Sequence, residues 1–187
     1  IRRLDLIEDP SLPEGTAGLV LAGTLWSDAL PEIALNTPLL GSIRSHIERG
    51  LPTVALGGGM LLLLDAVQDL LGRTSELAGV VPARGEILWD LDEVSHVELT
   101  AGRDTLLLTR GETMTGWVLT DAELIDLKTP WDPPFTVRTP GAEEGRIEGV
   151  ATDSLLCSQV LIHLAGRPGM ALRFVRRCAA YAGQRLS

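Results

Sequence analysis

The segment Thr53-Val54-Ala55-Leu56-Gly57-Gly58-Gly59 constrains the fold more than any other part of this 187-residue chain. A short apolar run with no polar face is typical of a strand buried on both sides, as in a parallel sheet. Three glycines directly after it demand an abrupt change of direction with close backbone packing. A second run of the same kind, residues 17–23, ends in Gly23. Between the two, Asn36 offers a helix N-cap with Pro38 just inside the start. Leu39, Ile43 and Ile47 then share one helical face, and Gly50 with Pro52 closes the helix. Beyond the glycines, residues 60–71 read as a further apolar helix stopped at Gly72. Strand, helix, strand, helix is the pattern of a parallel βαβ unit.

The second half changes character. Residues 86–89, 95–100, 105–108 and 113–119 are short and partly alternating, with Gly and Asp breaks, and predict β structure with a bend at residues 101–104. Residues 126–145 carry Pro130, Pro133, Pro134, Pro140 and Gly141, and predict a long surface loop. Strand-like stretches follow at 145–151 and 155–161, and a last helix covers residues 170–182. With no repeat or low-complexity segment, the expectation is one α/β domain over residues 1–187.

Composition removes several functions. Acidic residues number 25 against 16 basic ones, a formal charge of −9 that repels a phosphate backbone and argues against nucleic acid. Lys128 is the one lysine and lies outside any glycine loop, so a GxxxxGK[ST] phosphate loop is absent. Cys157 and Cys178 sit in apolar surroundings and read as free thiols. His46, His96 and His163 are too scattered for a zinc motif, and no apolar stretch approaches the ~20 residues that span a membrane. Asp90, Asp92 and Glu93 form an acidic group that reads as a solvated loop or, less readily, a Mg²⁺ site. Ile1-Arg2-Arg3 shows neither an initiator Met nor a signal sequence, as in the interior of a longer chain or after removal of a segment.

The strand–glycine–helix turn at residues 52–60 is the geometry of a nucleophile elbow, where a strained turn lifts one side chain above a sheet. Several segments then fall in the order of a known family. Leu12-Pro13-Glu14-Gly15 precedes residues 18–24, GLVLAGT; Asn36 begins a helix; residues 52–63 hold the elbow; Gly79-Val80-Val81-Pro82 and Arg110-Gly111-Glu112 follow; residues 158–168, SQVLIHLAGRP, and Phe174-Val175 close the series. In that order they resemble the class I glutamine amidotransferase domain of the cobyrinic acid a,c-diamide synthase and cobyric acid synthase family, over almost the whole chain. The resemblance implies a flavodoxin-like three-layer α/β sandwich with a mostly parallel central sheet and an antiparallel excursion. It implies ATP-dependent amidation in cobalamin biosynthesis, in the cytoplasm. ATP and Mg²⁺ would be held by a P-loop synthetase domain in cis or in trans rather than by this chain.

The departures from the family pattern fall on its chemistry. Gly57 stands where the family has its nucleophilic Cys, and Leu56 where a Glu precedes it. Leu161 replaces the His that activates the Cys, while His163 keeps the second His position. The family's two histidines near Arg110 become Glu112 and Thr115. Glycine cannot form a thioester and leucine cannot accept a proton, so no catalytic residue is expected. Gly23, Thr24, Gly57, Gly58 and His163 would then mark a vestigial pocket, with Gly23-Thr24 at the family's oxyanion-hole position. Blander readings stand beside these: the glycines as a tight turn rather than an anion cradle, and His163 as a buried, backbone-bonded residue. His46 reads as solvated. Trp26, Trp89, Trp117 and Trp131 are either core filling or interface anchors. The alternative function is a non-catalytic small-ligand-binding or homodimerising module on the same fold; a hydrolase with relocated residues has weaker support.

Overall fold

The computed structural model describes residues 1–24, 27–88, 94–119, 122–127 and 132–184. Strand β1 (Leu19–Gly23) leads through a 3-10 turn (Ser27–Ala29) into two helices, α1 (Leu30–Leu35) and α2 (Thr37–Glu48). Asn36 joins them and caps the second. Its side-chain oxygen accepts from the Leu39 N–H at 3.3 Å, and its amide nitrogen donates to the carbonyls of Leu6, Ile7 and Asp9. The predicted cap is therefore in place, and it also ties down the N-terminal segment.

Strand β2 (Thr53–Gly57) runs directly into a single turn, α3 (Gly58–Leu61). The middle of the chain is β3 (Leu64–Gln68), β4 (Thr74–Glu76), β5 (Val81–Ile87), β6 (Val94–Ala101), β7 (Thr113–Leu119), β8 (Ala122–Ile125) and β9 (Phe135–Arg138). The last part holds β10 (Arg146–Glu148), β11 (Val150–Ala151), β12 (Leu155–Ser158), β13 (Val160–Ile162), a 3-10 turn (Leu164–Gly166) and α4 (Pro168–Gln184).

The central sheet has the order β1-β2-β12-β11, with β1 and β12 parallel to β2 and only β11 antiparallel. Its alternation divides two cores. Leu19, Leu21, Ala55, Leu155 and Cys157 face the core built with α1, α2 and the sheet β4-β3-β5-β8. Val54, Leu56 and Leu156 face the other core, shared with the antiparallel sheet β10-β9-β6-β7-β13 and with α4. Each fully buried Leu or Val contributes about 1.5–3 kcal/mol of burial free energy, so β2, buried at every residue, anchors both layers. This is the α/β sandwich expected from the sequence, with its parallel strands at the centre.

Four local readings are corrected. Residues 60–71 are not a helix: after α3 the chain turns at Leu62 and enters β3, which pairs with β4 and β5. The run Met60 to Leu64 is buried on all sides, and such a run has no polar face from which helix and strand could be told apart. Residues 105–108 are no strand. The Thr105 hydroxyl accepts from the N–H groups of Leu107 and Leu108, forming a tight local turn that pins three buried leucines into the second core. The loop read at 126–145 contains β9, which pairs with β6 and β10. The stretch 155–161 is two strands in different sheets, β12 central and β13 antiparallel. Its hinge is Gln159, whose N–H donates to the buried Glu148 carboxylate at 2.6 Å.

Candidate functional site

The elbow is present. Gly57 ends β2 with φ 58° and ψ −130°, a conformation that costs a non-glycine residue about 1–3 kcal/mol. The neighbouring strand β1 ends in register with it, Gly23 opposite Gly57, and Gly23 itself has φ 124°. Two steps on, a Cβ at Gly59 would stand 2.2 Å from the Leu21 carbonyl oxygen, so only glycine lets α3 lie against β1. The glycine run is thus explained by backbone packing. The anion-cradle reading of the same glycines finds only a four-residue turn in α3, too few aligned peptides to build a helix dipole.

What faces the elbow is apolar. A Cβ at Gly57 would meet Leu161 Cγ and Cδ2 at 2.9 Å and the Gly23 carbonyl oxygen at 2.8 Å. The two positions singled out in the sequence, 57 and 161, are therefore neighbours, and the space a side chain at 57 would use is already filled. Leu161 lies on β13 opposite Trp117 of β7, which lies opposite His96 of β6. The Trp117 indole N–H donates to His96 Nε2 at 3.2 Å, with the rings edge-to-face at 5.5 Å. Indole nitrogen is a donor only, so this bond places the proton of neutral His96 on Nδ1. Trp117, on the same face of that sheet as Leu161, is 37% exposed, so it is not core filling.

Gly23, Thr24 and Gly58 line a cleft of about 750 Å³ along the edge of β1, between the N-terminal residues and α4. Its wall includes Val20, Ala22, Phe174 and Val175, and its charged members are Arg2 and Arg3; no carboxylate, histidine or cysteine is among the lining residues. His163 is exposed rather than buried, and is not part of that wall. Its carbonyl accepts from the Gly166 N–H at 2.9 Å in the turn that precedes α4. His46 is half-buried and bonds the Ser42 carbonyl oxygen through Nδ1 at 2.8 Å, which corrects the solvated reading. Burial pushes both thiols up, Cys157 strongly and Cys178 less, which leaves neither activated. Among the described residues no group of three His, Cys, Asp or Glu could hold a metal, and no helix is long and apolar enough to cross a membrane. Asp90, Asp92, Glu93, Lys128, Trp26, Trp89 and Trp131 lie outside the described residues.

Two charged groupings were not foreseen. Glu112 receives the Thr109 N–H at 2.7 Å and the guanidinium groups of Arg167 and Arg173 at 3.3 and 3.2 Å. The Thr109 N–H and the nearby Arg173 hold its carboxyl below the usual range, and the cluster ties α4 to the loop before β7. Arg173 also bonds the Leu107 carbonyl. Glu148 is buried, accepting from the Ser158 hydroxyl at 2.8 Å as well as from Gln159. Burial pushes its pKa up against the opposing pull of these hydrogen bonds and of Arg146. Hydropathy could not have found it, since Ile147 beside it is 74% exposed while Glu148 is 6% exposed.

The fold recurs in solved structures. A glutamine amidotransferase crystal structure superposes with a TM-score of 0.63 at 16% identity, covering 89% of this chain and 81% of that one. A glutamine amidotransferase from Thermotoga maritima gives 0.51 at 13% identity, covering 90% and 65%. Among curated proteins, the cobyrinate a,c-diamide synthase of Caldanaerobacter subterraneus subsp. tengcongensis is 27% identical over 175 residues, 94% of this chain. The chain is homologous to cobyrinate a,c-diamide synthases. The hydrogenobyrinate a,c-diamide synthases of Streptomyces coelicolor and Thermobifida fusca are each 29% identical, over 93% and 97% of it. The chain spans little more than a third of these relatives, 34–38% of their length. No family model matches it. The fold is accordingly that of the class I glutamine amidotransferases, and the elbow at Gly57 sits within the region shared with the synthases.

Proposed function

We propose that this chain is the glutamine-amidotransferase-like module of a cobyrinate a,c-diamide synthase homologue, serving ATP-dependent amidation in cobalamin biosynthesis, and that it has no glutaminase activity of its own. The observation that carries the second part is the elbow, with glycine on the strained turn and Leu161 filling the space above it. Release of ammonia through a thioester needs a nucleophilic atom and a proton acceptor, and neither side chain supplies one. Gly23, Thr24 and Gly58 are then remnants of the glutamine pocket, whereas His163 keeps a position in the sequence pattern but lies outside the cleft they line. ATP and Mg²⁺ belong to a synthetase partner, in cis or in trans; the length of the relatives beyond the matched region supports such a partner. We place the module in the cytoplasm, a setting that suits unpaired thiols at Cys157 and Cys178.

The reading is tested by intact-mass spectrometry after incubation with an electrophilic glutamine analogue such as 6-diazo-5-oxo-norleucine. The expected spectrum shows unmodified protein. A stoichiometric adduct on Cys157 or Cys178 would show a relocated nucleophile and end the proposal.

A further inference from the structure

The inner face of the antiparallel sheet changes chemistry at one end. Strand register sets Ser95 and Val97 of β6, Val118 of β7, and Arg146 and Glu148 of β10 on the same face as the core residues Leu99, Phe135 and Val137. Where the apolar rows give way to Ser95, Arg146 and Glu148, a cleft of about 590 Å³ opens against Ala122, Glu123 and Leu124 of β8. Gln159, the hinge between β12 and β13, also lines it, and its side-chain amide donates to the Ala122 carbonyl at 3.2 Å. This cleft is separate from the elbow: it shares no lining residue with the cleft along β1.

Its charged lining residues, among those described, are Arg146, Glu148 and Glu123. Glu148 is buried, and each of its oxygens accepts one bond, from the Ser158 hydroxyl and from the Gln159 N–H. A carboxylate offers about four acceptor positions, so two remain for a further donor. Burial outweighs those two bonds and the charge of Arg146, which leaves the carboxylate short of compensation. Arg146 is close enough for its charge to be felt at Glu148, yet it is exposed and has no carboxylate within ion-pair distance among the described residues. A mostly apolar wall of this size with a few convergent polar groups is the composition of a small-molecule site.

We propose that this cleft binds a small zwitterion with an apolar body, of the apolar α-amino acid class, its ammonium on Glu148, its carboxylate on Arg146 and its side chain against Val97, Val118 and Leu124. Charge selects the occupant. An ammonium supplies the donors that Glu148 lacks and favours its ionised form. A guanidinium fork matches a carboxylate in two parallel bonds. A ligand carrying only a negative charge would meet Glu148 and Glu123, and one carrying only a positive charge would meet Arg146, whereas a zwitterion satisfies both signs.

Isothermal titration calorimetry of the purified chain tests this with three probes of one apolar body: L-leucine, 3-methylbutylamine, which lacks the carboxylate, and 4-methylpentanoate, which lacks the ammonium. Leucine should bind saturably, and each singly charged probe about tenfold or more weaker, since each leaves one charged group of the cleft without its partner. Arg146→Gln, at an exposed position that the fold does not depend on, should weaken leucine about tenfold and leave 3-methylbutylamine no weaker. Glu148→Gln should weaken leucine by a similar factor and leave 4-methylpentanoate no weaker; should that variant fail to fold, the Arg146 variant decides alone. Absence of saturable leucine binding at roughly 10 mM, equal affinity for the three probes, or leucine binding undiminished by Arg146→Gln would each overturn the site.

Discussion

A side chain restored at the elbow should destabilise the protein in proportion to two separate obstacles. Gly57→Ala places a methyl group on a turn of φ 58°, at a conformational cost of about 1–3 kcal/mol. The same methyl stands 2.9 Å from Leu161 Cγ and Cδ2, and such overpacking adds about 1–3 kcal/mol. The sum, roughly 2–6 kcal/mol, corresponds to a fall in Tm of roughly 5–20 °C at this chain length. Leu161→Ala removes the second obstacle and leaves the first. The double variant should therefore be more stable than the two single losses predict, by about 1–3 kcal/mol. Urea denaturation of the four proteins of this cycle measures the difference. An unchanged midpoint for Gly57→Ala, or strict additivity in the double variant, would refute the picture of an elbow closed by Leu161.

Two further substitutions follow from the same geometry. Gly59→Ala would drive a methyl to 2.2 Å from the Leu21 carbonyl oxygen, where backbone and not a flexible side chain must yield, so a loss of about 3 kcal/mol or more is expected by urea denaturation; a loss below 1 kcal/mol would show that β1 is free to move. Glu148 keeps its proton to higher pH when folded than when unfolded, so the folded state binds more protons above the usual carboxylate pKa of 4.5. Its contribution to stability therefore falls as pH rises from 4.5 through the raised native value. Glu148→Gln should remove that part of the pH dependence, making the variant gain on the wild type between pH 5 and pH 8 in urea midpoints. A constant difference between the two across this range would contradict the assignment.

How far the sequence reaches is visible at single residues. Periodicity and capping located β1, β2, α2 and α4, because their signals are local: Asn36 as a cap, Gly50 as a stop, and apolar runs ending at Gly23 and Gly57. The pairing of position 57 with position 161 was legible through the family resemblance, and the clash of a Cβ at Gly57 with Leu161 places them side by side. Signals that depend on distant neighbours were not legible. Residues 60–71 read as a helix because the run Met60 to Leu64, buried on every side, has no period to read, and only pairing with β4 and β5 makes Leu64–Gln68 the strand β3. Thr105 turned a strand-like TLLL into a turn by bonding the backbone three residues on. Glu148 is buried beside an exposed Ile147, and Glu112 meets arginines more than fifty residues away, so neither role leaves a local trace.

The central claim, an amidotransferase frame whose elbow carries no nucleophile, is tested most directly by glutamate release. The purified chain, alone and with the proposed synthetase partner, ATP and Mg²⁺, is incubated with glutamine and the glutamate formed is measured. Release at the level of a protein-free control is expected in both mixtures. Turnover above that level that is lost in Cys157→Ser, Cys178→Ser or His163→Ala would contradict it.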